Sequence, residues 1–283
     1  DRSVSRGLGD VYKRQSQNRG GRGIVGMQTR DEDFVKDLFL CSTHDTILFF
    51  TDHGRVYRLK GYEVPEAGRT ARGMAIVNLL EIAPDESVTA VIPVKEFRED
   101  RYLVMLTKQG LIKKTDMESY SNIRKGGLIA INLREDDSLI SVMTTEGEDE
   151  ILAATRNGMG IRFSEKDVRP MGRTATGVKA ISLREGDYLV SAIKMSPTAK
   201  VLNVTEKGFG KQTLPEEFKV QYRGGMGVKI HQLTEKTGLL TGVLMLEENE
   251  EIMLITSEGV IIRLRGADIS TIGRVSQLSL IHI

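Results

Sequence analysis

The sequence predicts an all-β fold made of repeated four-stranded units of about 50 residues. Two series of glycines recur in phase along the 283 residues, each beside apolar stretches of strand length. No long segment shows the 3.6-residue periodicity of an amphipathic helix. The single cysteine excludes an internal disulfide and a thiolate metal cluster.

The first series of glycines ends a Thr-x-x-Gly pattern that follows an apolar stretch. Successive glycines of this series lie 56, 48, 50 and 51 residues apart. Because glycine adopts positive φ values without strain, each pattern predicts a tight turn within a β-hairpin. The turns end at Gly54, Gly110, Gly158, Gly208 and Gly259, and the strands before them cover 46–50, 102–106, 151–154, 201–204 and 252–255.

A second series of glycines, Gly73, Gly127, Gly177 and Gly227, follows the first by 17 to 19 residues and opens another apolar run. Three of them have an arginine four residues earlier. An acidic turn and a last apolar strand then close each unit, over 88–94, 139–143, 189–193 and 239–245. Four short strands in about 50 residues are the size and strand count of a propeller blade.

The repeat predicts a single domain over residues 16–277, composed of half a blade, four whole blades and half a blade. Gly23 has Arg19 four residues before it, and its spacing from Gly54 matches that of a second-series glycine in a partial first unit. Residues 1–15 and 278–283 do not fit the pattern, and we interpret both as non-native flanks. The units cover about 16–40 (partial), 41–95, 100–145, 148–195, 199–246 and 250–277 (partial).

Charges are segregated along the repeat, although the net charge is only +1. The windows from first to second glycine sum to +10, and the intervening windows sum to −10. Equivalent loops occupy equivalent positions in a blade array, so one band of the rim should be basic and another acidic. A basic band is typical of a polyanion-binding surface, although charged propeller loops are also commonly just solvated.

The heptad Gln17-Asn18-Arg19-Gly20-Gly21-Arg22-Gly23 is the richest local signal for a phosphate contact. Its glycines let the backbone approach a ligand closely, and its two guanidinium groups match phosphate oxygens. On composition alone, the heptad could also be a flexible linker or a disordered RNA-binding tract.

The heptad resembles the gyrase A box, a Gln-basic-Arg-Gly-Gly-basic-Gly motif. Residues 16–277 as a whole are similar to the C-terminal domain of DNA gyrase's A subunit, and the stretches 43–50, 54–57 and 76–80 share this resemblance. Asn18 departs from the motif, in which that position is usually basic. The resemblance implies a six-bladed β-pinwheel, a propeller-like ring in which neighbouring blades exchange strands.

The resemblance also implies a function. The pinwheel would wrap double-stranded DNA around its basic rim, so that an ATP-dependent type II topoisomerase introduces negative supercoils. The partners would be the rest of the A subunit, together with the B subunit, in an A2B2 heterotetramer of the bacterial cytoplasm and nucleoid, without a membrane. ATP and Mg²⁺ would bind elsewhere in that enzyme.

Catalysis is not expected within this chain. It has no Gly-x-x-x-x-Gly-Lys-Ser/Thr loop, and its four histidines lack metal-ligand spacing. We therefore predict no catalytic residue, cofactor or metal here. Two other functions stay open: the C-terminal domain of the topoisomerase IV counterpart, and a propeller scaffold that binds proteins.

The predicted DNA contacts are the box residues and basic residues of the rim. Bending 20–30 base pairs by 40–90° costs on the order of 1–6 kcal/mol, which many phosphate contacts must offset. The rim candidates are Arg55, Arg58, Arg69, Lys113, Lys114, Arg124, Lys125, Arg162, Arg173, Lys211, Arg223 and Arg263.

Overall fold

The computed structural model describes residues 24–25, 39–67, 73–255, 260–276 and 279–280. Within these ranges the chain forms 19 β-strands, six short 3₁₀ helices and no α-helix, which confirms the predicted all-β fold. The 3₁₀ helices are Gly61–Glu63, Ile76–Asn78, Met117–Tyr120, Glu165–Asp167, Pro215–Glu217 and Gly266–Asp268.

The strands are β1 (Ile24–Val25), β2 (Thr46–Thr51), β3 (Arg55–Lys60), β4 (Val88–Val94), β5 (Tyr102–Thr107), β6 (Leu111–Asp116), β7 (Leu128–Ile129), β8 (Leu139–Thr145), β9 (Glu150–Thr155), β10 (Met159–Ser164), β11 (Val178–Lys179), β12 (Leu189–Lys194), β13 (Lys200–Thr205), β14 (Phe209–Thr213), β15 (Val228–Lys229), β16 (Leu240–Leu246), β17 (Glu251–Ile255), β18 (Val260–Arg265) and β19 (Ser279–Leu280).

The described strands form five antiparallel sheets, numbered here as blades 1 to 5. The strand order is β4-β2-β3-β7 in blade 1, β8-β5-β6-β11 in blade 2, β12-β9-β10-β15 in blade 3 and β16-β13-β14-β19 in blade 4. Blade 5 contains β17-β18-β1. The strands β4, β8, β12 and β16 contact one another in succession, so they form the inner edges of the blades. The short strands are the outer edges.

Each outer strand belongs to the unit of sequence that follows its blade. After the hairpin of blade 2, the chain returns to blade 1, where Leu128 of β7 pairs with Val56 of β3. Strands β11, β15 and β19 pair in the same way with β6, β10 and β14. Strand β1 pairs with β18 of blade 5, so the first described strand joins the last hairpin and closes the array. Neighbouring blades therefore exchange strands.

Hydrophobic side chains are buried between successive blades. Leu48 and Phe50 of blade 1 pack with Leu103 and Met105 of blade 2. Burying one such side chain completely stabilises a fold by about 1.5–3 kcal/mol. Each blade is thus held by its neighbours as well as by its own hydrogen bonds.

The predicted hairpins are confirmed wherever the structure describes them. Gly54, Gly110, Gly158 and Gly208 all have φ values between 73° and 82°, whereas Gly259 lies outside the described residues. The prediction of a strand after Gly73 is wrong, because Ile76–Asn78 is a 3₁₀ helix. By the strand exchange seen in the other blades, a strand after Gly73 would pair with the hairpin of the preceding unit, and residues 1–15, where the repeat would put that hairpin, do not fit the sequence pattern.

The predicted flanks have different outcomes. Residues 1–15 lie outside the described residues. In the other flank, Ser279–Leu280 forms β19, in the register that exchanged outer strands occupy in blades 1 to 3. That these tips are non-native stays a prediction.

Candidate nucleic-acid interface

A rim loop covers the outer edge of each of blades 1 to 4. In blade 3, Val220 bridges to Arg162 of β10, and Val228 pairs with Gly160 of the same strand. Between these attachments, residues 221–227 form the rim loop. The equivalent loops are 121–127 on blade 1, 171–177 on blade 2 and 272–276 on blade 4.

Two arginines, Arg223 and Arg274, hold the rim loops on blades 3 and 4 in place. Arg223 is only partly exposed, and its Nε and Nη1 each donate a 2.9 Å hydrogen bond, to the carbonyl oxygens of Asp167 and Lys179. Arg274 donates in the same way to the carbonyl oxygen of Lys229. Arg223 was predicted to bind DNA, but these two bonds use its guanidinium group to join neighbouring outer edges.

A second inter-blade contact recurs four residues after the turn glycine. The side chain at this position donates to a carbonyl oxygen at or beside a 3₁₀ helix of the next blade. The pairs are Arg58 with Ser121, Lys114 with Glu165, Arg162 with Pro215 and Phe218, and Gln212 with Gly266. Arg162 also forms an ion pair with Glu150. These side chains act primarily in assembling the ring.

Three predicted rim contacts, Lys113, Lys114 and Lys211, are wrong because the side chains are buried. Lys113 donates to the carbonyl oxygens of Ala130 and Arg173. Lys114 lies 3.6 Å from a carboxylate oxygen of the buried Glu165. An ammonium group in these positions cannot reach a phosphate on the surface.

Lys211 is held by three carbonyl oxygens of the rim loop on blade 4. Its Nζ lies 2.9 Å from the oxygen of Gly273, 2.5 Å from that of Arg274 and 3.2 Å from that of Ser276. Burial disfavours the charged ammonium and lowers the pKa of Lys211 to about 8. The same cause, with the charge of Arg173, lowers the pKa of Lys113 to about 7.

Other predicted residues do lie on the surface. Arg58, Arg124 and Lys125 are exposed, and Arg173 is partly exposed in its rim loop. Arg55 is partly exposed and donates a 2.7 Å bond to the oxygen of Gly126. Among the remaining candidates, Arg263 forms an ion pair with Glu251. Arg69 and the box residues 17–23 lie outside the described residues.

Four exposed basic residues of the rim were missed by the sequence analysis: Arg169, Lys179, Lys219 and Lys229. Their regular spacing from the second series of glycines could have identified them. Arg169 and Lys219 stand eight residues before a second glycine, and Lys179 and Lys229 stand two residues after it. With Arg124 and Lys125, we call these six side chains the rim bases.

The rim bases differ from basic residues near the loops that connect successive blades. Two of these loops, 146–149 and 247–250, carry only acidic charges. Several exposed bases near the connecting loops are paired: Arg98 with Asp100, Lys166 with Glu148, and Lys194 with Asp149. Within the described residues, none of the six rim bases forms an ion pair. The outer edge therefore carries unneutralised positive charge, although other exposed bases, such as Lys95 and Arg134, also lack an ion pair among the described residues.

The described part of the chain holds no group of three or more His, Cys, Asp or Glu residues arranged to bind a metal ion. In the same ranges, no helix has the length and apolar character that a membrane crossing requires.

Known proteins share both the sequence and the fold. The DNA gyrase A protein of Halalkalibacterium halodurans is 62% identical over 263 residues, and that of Clostridium acetobutylicum is 55% identical over 265 residues. These alignments cover 93% and 94% of the chain but 32% of each relative, so the chain spans about a third of their length.

Two solved structures have the same architecture. A structure of the DNA gyrase A C-terminal domain superposes with a TM-score of 0.82 at 23% identity, covering 95% of this chain and 90% of that one. The C-terminal domain of DNA topoisomerase IV gives a TM-score of 0.78 at 29% identity, covering 90% and 80%.

A sequence profile described as "DNA gyrase C-terminal domain, beta-propeller" matches six successive segments of the chain. The matched residues are 15–42, 45–95, 101–146, 149–194, 200–247 and 250–277, which is most of the chain. With its exchanged strands and repeated rim loops, the chain therefore belongs to the DNA gyrase C-terminal domain family.

Proposed function

We propose that this chain binds duplex DNA along its outer edge and bends it around the ring. The observation that carries the proposal is the set of six exposed rim bases, none of which has a carboxylate partner among the described residues. Such side chains can neutralise phosphates without first breaking an internal ion pair. Phosphate contacts carry no sequence information directly, so we expect weak sequence preference.

The distribution of charge favours a curved path. The bases of blades 2 and 3 recur at equivalent rim positions, and those of blade 1 lie in the equivalent loop, whereas the acidic connecting loops lie away from the outer strands. A duplex that follows the rim stays near the unpaired bases. Each phosphate contact releases counterions, which offsets the elastic cost of bending.

Within the whole protein, we propose that this wrapping presents DNA to a cleavage core in a type II topoisomerase and supports ATP-dependent negative supercoiling. The partners are the rest of the gyrase A protein and the gyrase B protein, in an A2B2 assembly of the bacterial cytoplasm and nucleoid. ATP and Mg²⁺ then bind outside this chain. The box Gln17–Gly23 and Arg69 remain proposed contacts.

The first test compares two quadruple variants with equal loss of charge. One carries Arg169→Gln, Lys179→Gln, Lys219→Gln and Lys229→Gln; the other carries Arg98→Gln, Lys166→Gln, Lys194→Gln and Arg265→Gln. We expect the first to flatten the dependence of log K on log salt by about 3 to 4, and the second to change it little. Equal effects of the two variants would refute a rim-specific path.

Wrapping itself is tested with nicked circular DNA closed by ligase in the presence of the chain. Wrapping with a fixed hand shifts the topoisomer distribution in one direction. A distribution identical to that without protein, under conditions where the mobility of the DNA shows binding, contradicts wrapping.

The role in the enzyme is tested with Arg19→Ala and Arg22→Ala in the complete gyrase A protein, reconstituted with the gyrase B protein. Negative supercoiling should fall far more than relaxation or decatenation. Equal loss of all three activities would contradict a wrapping role, and an unchanged supercoiling rate would contradict the proposed box contacts.

A further inference from the structure

The rim loop on blade 3 repeats the heptad at residues 17–23. Its sequence, Gln221-Tyr222-Arg223-Gly224-Gly225-Met226-Gly227, is identical to Gln17-Asn18-Arg19-Gly20-Gly21-Arg22-Gly23 at five of seven positions. Both copies end on a glycine of the second series, so they occupy the same phase of the repeat. The other rim loops do not contain this pattern; they read 121-SNIRKGG-127 and 171-MGRTATG-177.

The described copy is firmly attached to its neighbours. Gln221 N donates to the oxygen of Arg162 at 2.8 Å, and Gly224 N donates to that of Ala180 at 2.6 Å. Ser182 donates from both its backbone N and its Oγ to the loop, each at 2.8 Å. With the two bonds from Arg223, these contacts fix the loop backbone across two blades, so little ordering is required when a ligand binds.

The outward side of this loop presents groups suited to a DNA backbone. Tyr222 is 87% exposed and Met226 is 52% exposed. Exposed lysines, Lys219 and Lys229, flank the loop on both sides, and no acidic residue occurs from 218 to 230. Gly224 and Gly227 have φ values of 85° and 68°, so the backbone conformation of this loop depends on glycine.

Tyr222 distinguishes this loop from its equivalents. The corresponding residues of the other described rim loops are Asn122, Gly172 and Gly273. An exposed tyrosine on a fixed loop between two lysines can pack its ring against deoxyribose while the lysines bind the adjacent phosphates. Positive charge on either side and the absence of acids make DNA the complementary partner.

We propose that the rim loop 221–227 is a second box-like element, a dedicated DNA-backbone-binding loop on blade 3 in which Arg223 holds the loop and Tyr222, Lys219 and Lys229 contact the duplex. This inference rests on the proposed DNA-binding function. It adds that the rim is not uniform, because blade 3 carries an anchor point that the loops on blades 1 and 2 lack.

The experiment measures the affinity of the chain for a fluorescently labelled duplex of mixed sequence. Gly225→Asp places one negative charge in the loop; a Cβ at Gly225 comes no closer than 3.7 Å to another residue, so the substitution fits the fold. Ala175→Asp is the matched change at the equivalent position on blade 2, and Asn249→Asp is the same charge change in an exposed connecting loop. Thermal unfolding checks that each variant is folded.

We expect Gly225→Asp to weaken binding by about tenfold or more, Ala175→Asp distinctly less, and Asn249→Asp hardly at all. Equal losses from Gly225→Asp and Ala175→Asp would overturn the special role of the loop and leave the proposed function intact. Absence of salt-dependent binding by the unmodified chain would instead overturn the proposed function.

A second pair of variants keeps the charge constant. Tyr222→Ala should weaken binding severalfold, whereas Tyr222→Phe, which keeps the exposed ring, should leave it nearly unchanged. Unchanged affinity in Tyr222→Ala would overturn the proposed contact even if Gly225→Asp failed to fold.

Discussion

The guanidinium group of Arg223 donates a 2.9 Å hydrogen bond to the backbone carbonyl oxygen of Lys179, and this bond joins the outer edges of two neighbouring blades. A second bond from the same group reaches Asp167. Arg274 repeats the contact one blade further on, with Lys229. The repeated arginine is therefore part of the ring structure before any ligand binds.

Arg223→Ala should lower the free energy of unfolding by about 1–2 kcal/mol, since two carbonyl acceptors lose a charged donor. Arg124→Ala is the control for stability, because Arg124 is exposed and its side chain has no hydrogen-bond partner among the described residues. It should leave stability within about 0.5 kcal/mol while reducing DNA affinity. Urea denaturation measures the first effect, and a salt-controlled DNA titration measures the second. Equal stability losses would contradict the assigned roles.

Gly177→Ala should destabilise the chain by about 1–3 kcal/mol. Gly177 has φ of 99°, and an added Cβ would lie 2.5 Å from the carbonyl oxygen of Ile112, so backbone strain and a backbone clash combine. Gly172→Ala is the control in the same rim loop, where no atom lies within 4 Å of the added Cβ and φ is outside the left-handed region. It should be neutral or slightly stabilising. Similar denaturation midpoints for the two variants would contradict this explanation.

The hairpins could be predicted from the sequence because they depend on local signals. Thr-x-x-Gly places each turn, and the apolar stretches place the paired strands, as in Thr46–Thr51 and Arg55–Lys60. The box could be recognised for the same reason. These features need no knowledge of what a strand packs against.

The burial of Lys113 and Lys211 could not be predicted in this way. Each lies in a hairpin strand whose outer side is covered by a segment that arrives about 60 residues later in the chain. That segment provides all three carbonyl acceptors of Lys211 and one of the two acceptors of Lys113, the other being Ala130. From the sequence alone, the charge of Lys113 and Lys211 therefore predicted surface positions. Only the exchange of strands between blades shows which carbonyl oxygens accept their hydrogen bonds. Lys179 and Lys229 were missed because they lie in the two-residue strands β11 and β15, and the sequence alone does not show that these strands form the exposed outer edges.

His231→Ile should make the unfolding free energy less sensitive to acid. His231 is buried, and neither ring nitrogen has a hydrogen-bond partner among the described residues. Isoleucine occupies the equivalent buried positions, at Ile131 and Ile181. Burial, with the nearby charge of Lys211, lowers the pKa of His231 from 6.5 to about 4.

Since the folded-state pKa is the lower one, the unfolded chain binds an additional proton between pH 6.5 and 4. The contribution of neutral His231 is therefore complete above pH 6.5 and decreases as the pH falls towards 4. The unmodified chain should lose about 2–2.5 kcal/mol relative to His231→Ile between pH 7 and 4.5. Urea denaturation of both proteins at the two pH values measures the difference. Parallel pH profiles would show that His231 does not titrate in this window.

Met226→Arg should strengthen DNA binding, because it brings the rim loop on blade 3 closer to the heptad at residues 17–23, in which the equivalent residue is Arg22. Met226 is 52% exposed, so the longer side chain can extend from the loop without entering the core. One added phosphate contact should steepen the slope of log K against log salt by about 1. Asn249→Arg adds the same charge at an exposed connecting loop and should leave the slope unchanged. A DNA titration at several salt concentrations compares the two variants, and an equal gain from both would mean that net charge, rather than the position of the loop on the rim, controls the affinity.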